Sequence, residues 1–185
     1  RVSYTGDLGY EIYVDADKQR ALYNTLVEAG KDLSLRPFGM RAMMSLRLDR
    51  FFGSWNSELS PDYTAAETGL DRFISYNKPA DFIGKAAATA EKSAGPARQL
   101  CAFEVDVEDA DVHAYEPISI NGKVVGFCTS GGYSHHAQKS IAQGFVPTEM
   151  ITDELEVEIE ILGKMCKATR LTQHLFDPEM KQMRG

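Results

Sequence analysis

Residues 1–14 read RVSYTGDLGYEIYV. Apolar and aromatic residues lie on both sides of the break at residues 5–9, whose two glycines can adopt the positive φ that a tight turn needs. The pattern predicts a β-hairpin with residues 10–14 as its return strand. Because successive side chains of a strand point to opposite faces, Glu11 and Tyr13 are expected on one face and Ile12 on the other.

Glu11 has two explanations at this point. A glutamate in a strand can be a solvated side chain on the open face of an antiparallel sheet. It can also be a ligand anchor, because a carboxylate held on a strand can accept two parallel hydrogen bonds from a flat heterocycle with adjacent N–H groups. The residue pattern leaves both explanations open.

Composition limits the classes of function. The chain has 185 residues, is 43% hydrophobic and carries a formal net charge of −7, so it is long enough for a packed core of one domain or two small ones. The acidic balance argues against a nucleic-acid or anionic-membrane partner. The three cysteines, Cys101, Cys128 and Cys166, lack metal or disulfide spacing and indicate a reducing compartment.

Residues 15–95 carry helical patterns. Apolar residues recur at helical spacing from Leu22 to Leu33, with Gly30 as a stop, which predicts a helix that covers a sheet. A second helix is expected from Met40 to about Arg50, and a third from Asp81 to about Lys92. Between the last two, a short strand is predicted over residues 73–76.

Two side chains in this region have alternative explanations. Arg47 is interpreted as half of a solvent-exposed salt bridge rather than as a ligand contact. Trp55 follows the aromatic run 51–52 before a polar loop, and we expect it to seal the edge of a core, although it could instead stack on a planar ligand.

The period of the pattern changes from helical to two after the Gly95-Pro96 break. Apolar and acidic residues alternate at 103–107 and again at 155–161, and Asn121-Gly122 is a strong hairpin signal. Five or six short strands without intervening helices predict a small antiparallel barrel or sandwich. The adjacent histidines His135 and His136 are predicted to lie in a surface loop, where they are poorly placed to chelate one metal ion.

Several motifs now converge on one family. Residues Arg1-x-x-Tyr4-Thr5-Gly6-Asp7-x-Gly9-Tyr10-Glu11 resemble the signature of the folate-binding aminomethyltransferases, the glycine cleavage T-protein family. The resemblance continues through residues 39–48, 67–70, 81–85, 129–131 and 139–142. The spellings of residues 77–85 and 121–126 most resemble the C-terminal part of the dimethylglycine and sarcosine dehydrogenase branch of that family.

The resemblance implies an α+β fold. Residues 1–95 would be the C-terminal portion of the aminomethyltransferase folate-binding domain, residues 96–176 a C-terminal antiparallel β-barrel, and residues 177–185 a tail. Tetrahydrofolate would be the cofactor, bound by Tyr4, Glu11, Ile12, Tyr13 and, as a loose substitute, Arg41. The helix arginine that contacts folate in the T-protein branch aligns with Met43 here. The resemblance implies no metal ligand, and it places the catalytic aspartate upstream of Arg1.

The resemblance also implies a function that depends on more than this chain. A flavin domain in the same protein would bind FAD and oxidise a methylated amine, and the one-carbon unit would pass to tetrahydrofolate at this site, in the cytoplasm or the mitochondrial matrix. Alone, the chain would be inactive. Two alternatives remain: a regulatory protein of the same fold that lost catalysis, and a folate-dependent demethylase that uses no flavin.

Overall fold

The computed structural model describes residues 3–184, and its dominant feature is a closed barrel of six antiparallel strands. Around the barrel the strands follow the order β1-β4-β3-β2-β5-β6, and β1 closes the ring by pairing with β6. The predicted α+β class with a C-terminal antiparallel barrel is confirmed. The strands are β1 Arg98–Val105, β2 Pro117–Ile120, β3 Lys123–Ser134, β4 Lys139–Pro147, β5 Glu156–Ile161 and β6 Lys164–Leu171.

Side-chain alternation determines which face of each strand enters the barrel. In β5, Val157, Ile159 and Ile161 are buried, while the intervening glutamates are exposed or half-buried. They join a single apolar core that includes Phe103, Val105, Ile118, Val146 and Ala168. Burial of these aliphatic and aromatic groups, at about 25 cal/mol per Å² of apolar surface, is the main favourable contribution to the barrel.

The β2–β3 connection is the hairpin predicted from Asn121-Gly122. Asn121 has φ 52° and Gly122 has φ 74°, and two consecutive residues with positive φ form the turn that matches the right-handed twist of the strands. The prediction is therefore confirmed. Leu162 and Gly163, with φ 50° and 78°, form the same kind of turn between β5 and β6.

Among the described residues, four α-helices accompany the barrel: α1 Gln19–Ala29, α2 Met40–Asp49, α3 Lys85–Ala94 and α4 Lys181–Arg184. Gly30 ends α1, and α2 begins at Met40, as predicted. The third helix begins at Lys85 rather than Asp81, because Gly84 has φ 87° and cannot be part of a right-handed helix. No helix within residues 3–184 is long and apolar enough to cross a membrane.

The predicted opening hairpin is wrong for the described residues. Residues 3–14 contain no strand, and Arg1 and Val2 lie outside the described part of the chain. The return segment finds no strand to pair with in residues 3–97, and an isolated two-stranded hairpin is marginal in water. For the same reason the strand predicted at 73–76 is absent, and a 3-10 turn, Asp71–Phe73, occupies its start.

Two packing predictions fail together with these strands. Helix α1 was expected to cover a sheet, but it buries no residue, and Tyr23 and Leu26 are exposed. Trp55 was expected to seal a core edge, but it is 80% exposed. Helix α1 and Trp55 lie in the part of the described chain that forms no sheet, so the apolar surface that they were expected to cover is absent there.

Candidate ligand-binding site

The C-terminal end of α2 docks on the barrel and forms the platform of the site. Leu48 is buried at this contact, and the Ser45 hydroxyl donates to the backbone oxygen of Tyr133 in β3 at 2.7 Å. Phe51, immediately after the helix, has φ 55°, a left-handed conformation that is unfavourable for a bulky residue. The reversal brings the Phe52 carbonyl back towards the helix.

Arg47 is the centre of a buried polar cluster at this end of α2. It is 2% exposed, and its Nη1 donates to Gln143 Oε1 at 2.8 Å and to the Phe52 oxygen at 2.9 Å. The same nitrogen lies 3.5 Å from Glu58 Oε2, and Glu58 is 0% exposed. The prediction of a solvent-exposed salt bridge is therefore wrong. Burial lowers the pKa of Arg47, and the negative charge of Glu58 opposes this effect.

The cluster was missed because its members come from three distant segments. Glu58 also accepts a hydrogen bond from the backbone N–H of Ser54 at 2.7 Å, which fixes the loop after α2. Gln143 lies in β4, where every residue from Ser140 to Val146 is buried. A glutamine within such an apolar run was the one sequence signal that a buried polar partner was needed.

A second set of contacts joins α2 to the segment after the barrel. The C-terminal strap, defined here as residues 172–177, donates the backbone N–H groups of Leu175 and Phe176 to the Asp49 oxygen at 2.9 and 3.3 Å. In return, Arg50 Nη1 donates to the Phe176 oxygen at 2.7 Å and to the Asp177 oxygen. Burial raises the pKa of Asp49, whereas a hydrogen bond with Ser134 opposes the rise.

The predicted ligand residue Tyr4 lies against this platform. It is half-buried, and its hydroxyl is 4.0 Å from Met44 Sδ in α2. The turn that carries it is held by a hydrogen bond from the Gly6 N–H to Ser3 Oγ at 3.0 Å. Gly6 is buried with φ 90°, and a Cβ there would lie only 2.6 Å from Arg50 Cγ.

The predicted anchor Glu11 lies in a different environment from Tyr4. Glu11 is exposed, and its Oε2 accepts a hydrogen bond from the Tyr13 hydroxyl at 2.5 Å. This hydrogen bond raises the pKa of Tyr13. Tyr13 is 86% exposed, Ile12 is 56% exposed, and Arg41 on the outer face of α2 is also exposed. Tyr4 thus contacts α2, Glu11 and Tyr13 contact each other on an exposed segment, and Arg41 is exposed on α2.

The side chains of Glu11 and Tyr13 suit a pterin chemically, but the structure does not enclose a ligand around them. A carboxylate beside a phenol and exposed aromatic rings can accept N–H groups and stack on a flat ring. The recess next to them is open, holds about 490 Å³ and is lined by Tyr13, Val14, Asp15 and Lys18. The cavity of about 790 Å³ that is lined by residues of all six strands involves none of the predicted residues.

Metal and thiol chemistry receive no support from the described residues. Residues 3–184 contain no group of three or more histidine, cysteine or acidic side chains placed to hold a metal ion. The three cysteines are free, and burial raises the pKa of Cys128 to about 12. A thiol with that pKa is protonated at neutral pH and is a poor nucleophile.

Comparison with known proteins identifies the family. The protein-family model of the GCVT N-terminal domain matches residues 1–78. The family model of the glycine cleavage T-protein C-terminal barrel domain matches residues 98–177. The chain therefore belongs to the glycine cleavage T-protein family, and the resemblance seen in the sequence is confirmed.

Individual relatives come from both branches of this family. Dimethylglycine dehydrogenase of rat mitochondria is 40% identical over 184 residues, which cover 100% of this chain and 22% of the relative. An aminomethyltransferase of Geobacillus sp. is 38% identical over 168 residues, covering 91% of this chain and 46% of the relative. The structure of the glycine cleavage system aminomethyltransferase T of Bartonella henselae superimposes with a TM-score of 0.86 at 26% identity, covering 95% of this chain and 48% of that protein. The chain thus spans less than half the length of each.

His174 lies in the C-terminal strap, and we predict that it makes the stability of the fold depend on pH. Burial lowers the pKa of His174, and the positive charges of Arg50 and Arg72 add to the shift. A histidine whose folded pKa lies below its unfolded value stabilises the fold above about pH 6.5, and this contribution is lost as the pH falls towards the lowered pKa. We expect the melting temperature to fall between about pH 7 and pH 5, and His174→Gln to reduce that fall.

The control for this measurement is His113→Gln, a histidine in the loop before β2. Thermal unfolding of the wild type and both variants would be followed across the pH range. Equal pH profiles for the wild type and His174→Gln would show that the histidine of the strap contributes nothing to the acid response.

Proposed function

We propose that this chain is the tetrahydrofolate-binding C-terminal part of an enzyme that passes a one-carbon unit from an N-methylated amine to the cofactor. The observation that carries the proposal is the spacing from Tyr4 to Glu11 in a chain that matches both domains of the glycine cleavage T-protein family. The exposed carboxylate and the phenol beside it supply the hydrogen-bonding groups that a pterin needs.

The exposed apolar side chains support the part of the proposal that concerns a second protein segment. Large apolar residues that are more than half exposed recur along the first half of the chain, namely Tyr10, Ile12, Tyr13, Tyr23, Leu33, Leu35, Phe38, Met40, Trp55, Phe73 and Ile83. So many exposed apolar side chains in one half of the chain support a surface that another protein segment covers. In the proposed enzyme another part of the same protein covers it and completes the folate pocket.

The residues of this chain would bind and orient the cofactor. Glu11 would accept N–H groups of the pterin, Tyr13 would hold the Glu11 carboxylate in place through its hydroxyl, and Tyr4 would flank the ring from the α2 platform. Ile12 and Arg41 would complete the contacts on either side. Tetrahydrofolate, when bound, supplies the nitrogen atoms that accept the one-carbon unit.

The finer assignment is a dimethylglycine or sarcosine dehydrogenase-like enzyme whose flavin domain, with FAD, lies upstream in the same protein. It is supported by the identity of 40% to dimethylglycine dehydrogenase over the whole chain. The catalytic aspartate and the amine pocket would then belong to the upstream part, and the protein would act in the mitochondrial matrix or, in a bacterium, in the cytoplasm. Nucleic acid and membranes are not among the proposed partners.

Replacement of Glu11 tests the proposal. In the full-length protein that contains this chain, Glu11→Gln and Glu11→Ala should weaken tetrahydrofolate binding by about tenfold to a hundredfold, because a charge-assisted hydrogen bond contributes about 1.5 to 3 kcal/mol. Titration calorimetry would measure the dissociation constant. Since Glu11 is exposed in the absence of ligand, thermal stability without folate should stay the same.

Glu154→Ala serves as the matched control, because Glu154 is an exposed glutamate in the turn before β5. It should bind tetrahydrofolate like the wild type. Wild-type affinity in both Glu11 variants would remove this residue from the site, and an absence of binding in the wild type would favour the alternative of a regulatory protein with the same fold.

A further inference from the structure

The C-terminal strap and the turn that carries Tyr4 meet at a single side chain, Arg50. Arg50 follows α2 directly, is 0% exposed, and donates through Nη1 to the backbone oxygens of Phe176 and Asp177. Two charge-assisted hydrogen bonds from one buried nitrogen to neighbouring backbone oxygens hold that segment against the helix.

The aliphatic part of the same side chain supports the Tyr4 turn. A Cβ placed on Gly6 would lie 2.6 Å from Arg50 Cγ, 2.9 Å from Arg50 Cδ and 3.3 Å from Phe176 Cδ1. Gly6 therefore packs directly on the Arg50 stem and the Phe176 ring, with no space for a larger residue. The guanidinium of Arg50 thus binds the strap, and its aliphatic stem supports the turn.

The strap is itself fixed on the side away from the turn. The His136 ring, in the β3–β4 loop, contacts the Phe176 ring edge to face, with centroids 5.1 Å apart. The carboxylate of Asp177 accepts the backbone N–H groups of Lys181 and Gln182 at 2.7 and 2.9 Å and so begins α4. The Tyr4 turn consequently rests on a surface that is anchored to both the barrel and the last helix.

We infer that Arg50 is a positioning residue for ligand binding: it holds the Tyr4 turn in place by joining it to the C-terminal strap. The inference rests on the proposed function, because it takes Tyr4 to be a contact of the pterin. Arg50 itself touches the turn and the strap and acts on the ligand through them. Residues 172–177, outside both the barrel and the predicted ligand residues, thereby become part of what determines folate affinity.

The first test needs no ligand. In the full-length protein, Arg50→Met should increase amide hydrogen exchange at residues 3–7 by about tenfold or more, because the turn loses its support, while α2 stays protected. Arg50→Lys, which keeps the charge and the stem, should restore much of the protection. Arg170→Met is the matched control, since Arg170 binds a backbone oxygen, that of Thr152 at 2.9 Å, on the far side of the barrel.

The second test is a double-mutant cycle on tetrahydrofolate affinity. Arg50→Met should raise the dissociation constant by about tenfold in the wild type and cause no further change in a Tyr4→Ala background, because its effect passes through Tyr4. A residue that only stabilised the fold would weaken binding by the same factor in both backgrounds. Arg50→Lys should bind more tightly than Arg50→Met.

The outcomes separate the inference from the proposed function. Unchanged exchange at residues 3–7, or additive effects of Arg50→Met and Tyr4→Ala on affinity, would overturn the inference while leaving folate binding intact. If the wild type binds no tetrahydrofolate, the proposed function fails, and the role assigned to Arg50 in binding falls with it, whatever the exchange result. If Arg50→Met does not fold, Gly6→Ala takes its place, because its Cβ would collide with the Arg50 stem. Gly6→Ala must loosen the turn and weaken binding, and wild-type behaviour in this variant would refute the inference.

Discussion

Arg47→Met is expected to lower the free energy of unfolding by about 3 to 5 kcal/mol, because it removes one partner of a buried ion pair. Glu58 would remain 0% exposed without the cation that faces it, and Gln143 Oε1 would lose its 2.8 Å donor. Since a domain is stabilised by only about 5 to 15 kcal/mol in total, the variant should be close to unfolding at ambient temperature. Urea denaturation followed by circular dichroism measures the change.

The double variant Arg47→Met with Glu58→Met distinguishes a lost ion pair from lost packing. Replacing both charges by apolar groups of similar size leaves no unpaired charge, so the double variant should be more stable than Arg47→Met alone. Lys18→Met supplies the control, because Lys18 pairs with Asp15 at 2.9 Å on the surface, where such a pair contributes about 1 kcal/mol or less. If Arg47→Met and Lys18→Met lowered the free energy of unfolding equally, the buried position of Arg47 would not matter.

Gly144→Ala is the second substitution with a large expected effect, a loss of about 3 kcal/mol. The added Cβ would lie 2.5 Å from Ile118 Cδ1, 2.6 Å from the Phe127 oxygen and 3.2 Å from Cys128 Cα. Two of these three neighbours are backbone atoms of the adjacent strand β3, which cannot move without breaking the β3–β4 pairing. Thermal unfolding should show a clearly lower midpoint.

Gly9→Ala is the matched control for this steric argument. The nearest atom to a Cβ on Gly9 is the Asp7 oxygen at 3.9 Å, an ordinary contact distance, and Gly9 is exposed. Its midpoint should stay near that of the wild type. A wild-type midpoint in Gly144→Ala would mean that β3 and β4 are farther apart than the structure shows.

The barrel could be predicted from sequence because residues 103–107 and 155–161 alternate with period two and a hairpin signal lies between them. The alternation in residues 155–161 and the Asn121-Gly122 turn are local signals, and the structure uses both. Strands in a closed barrel also find their pairing partners within the same chain. Local preference and tertiary structure therefore agree in this half of the chain.

The opening segment shows where this reasoning fails. The pattern of residues 10–14 is as strand-like as that of β5, but the described chain offers it no neighbouring strand, and the pattern alone does not make one. Arg47 illustrates a different difficulty. It was interpreted as half of a solvent-exposed salt bridge, whereas its surroundings are Glu58 and Gln143, whose proximity no local pattern reveals.

The candidate site also contains some residues that the sequence indicated and others that only the structure reveals. The resemblance supplied Tyr4 and Glu11 as ligand residues, and these remain predictions. The structure adds Arg50, Gly6 and the strap, whose mutual packing depends on contacts across more than a hundred residues of sequence. Such contacts lie beyond the range of any motif.

Ring closure between β1 and β6 has a consequence for biosynthesis. Residues 102–105 and 168–171 close the ring, and the ribosome synthesises them at different times. Until β6 has been synthesised, the edge of β1 that pairs with it stays unpaired. Open edges of this kind can pair with other nascent chains. We therefore expect the edges of the barrel to be most exposed to such pairing in the interval before residue 171 is synthesised.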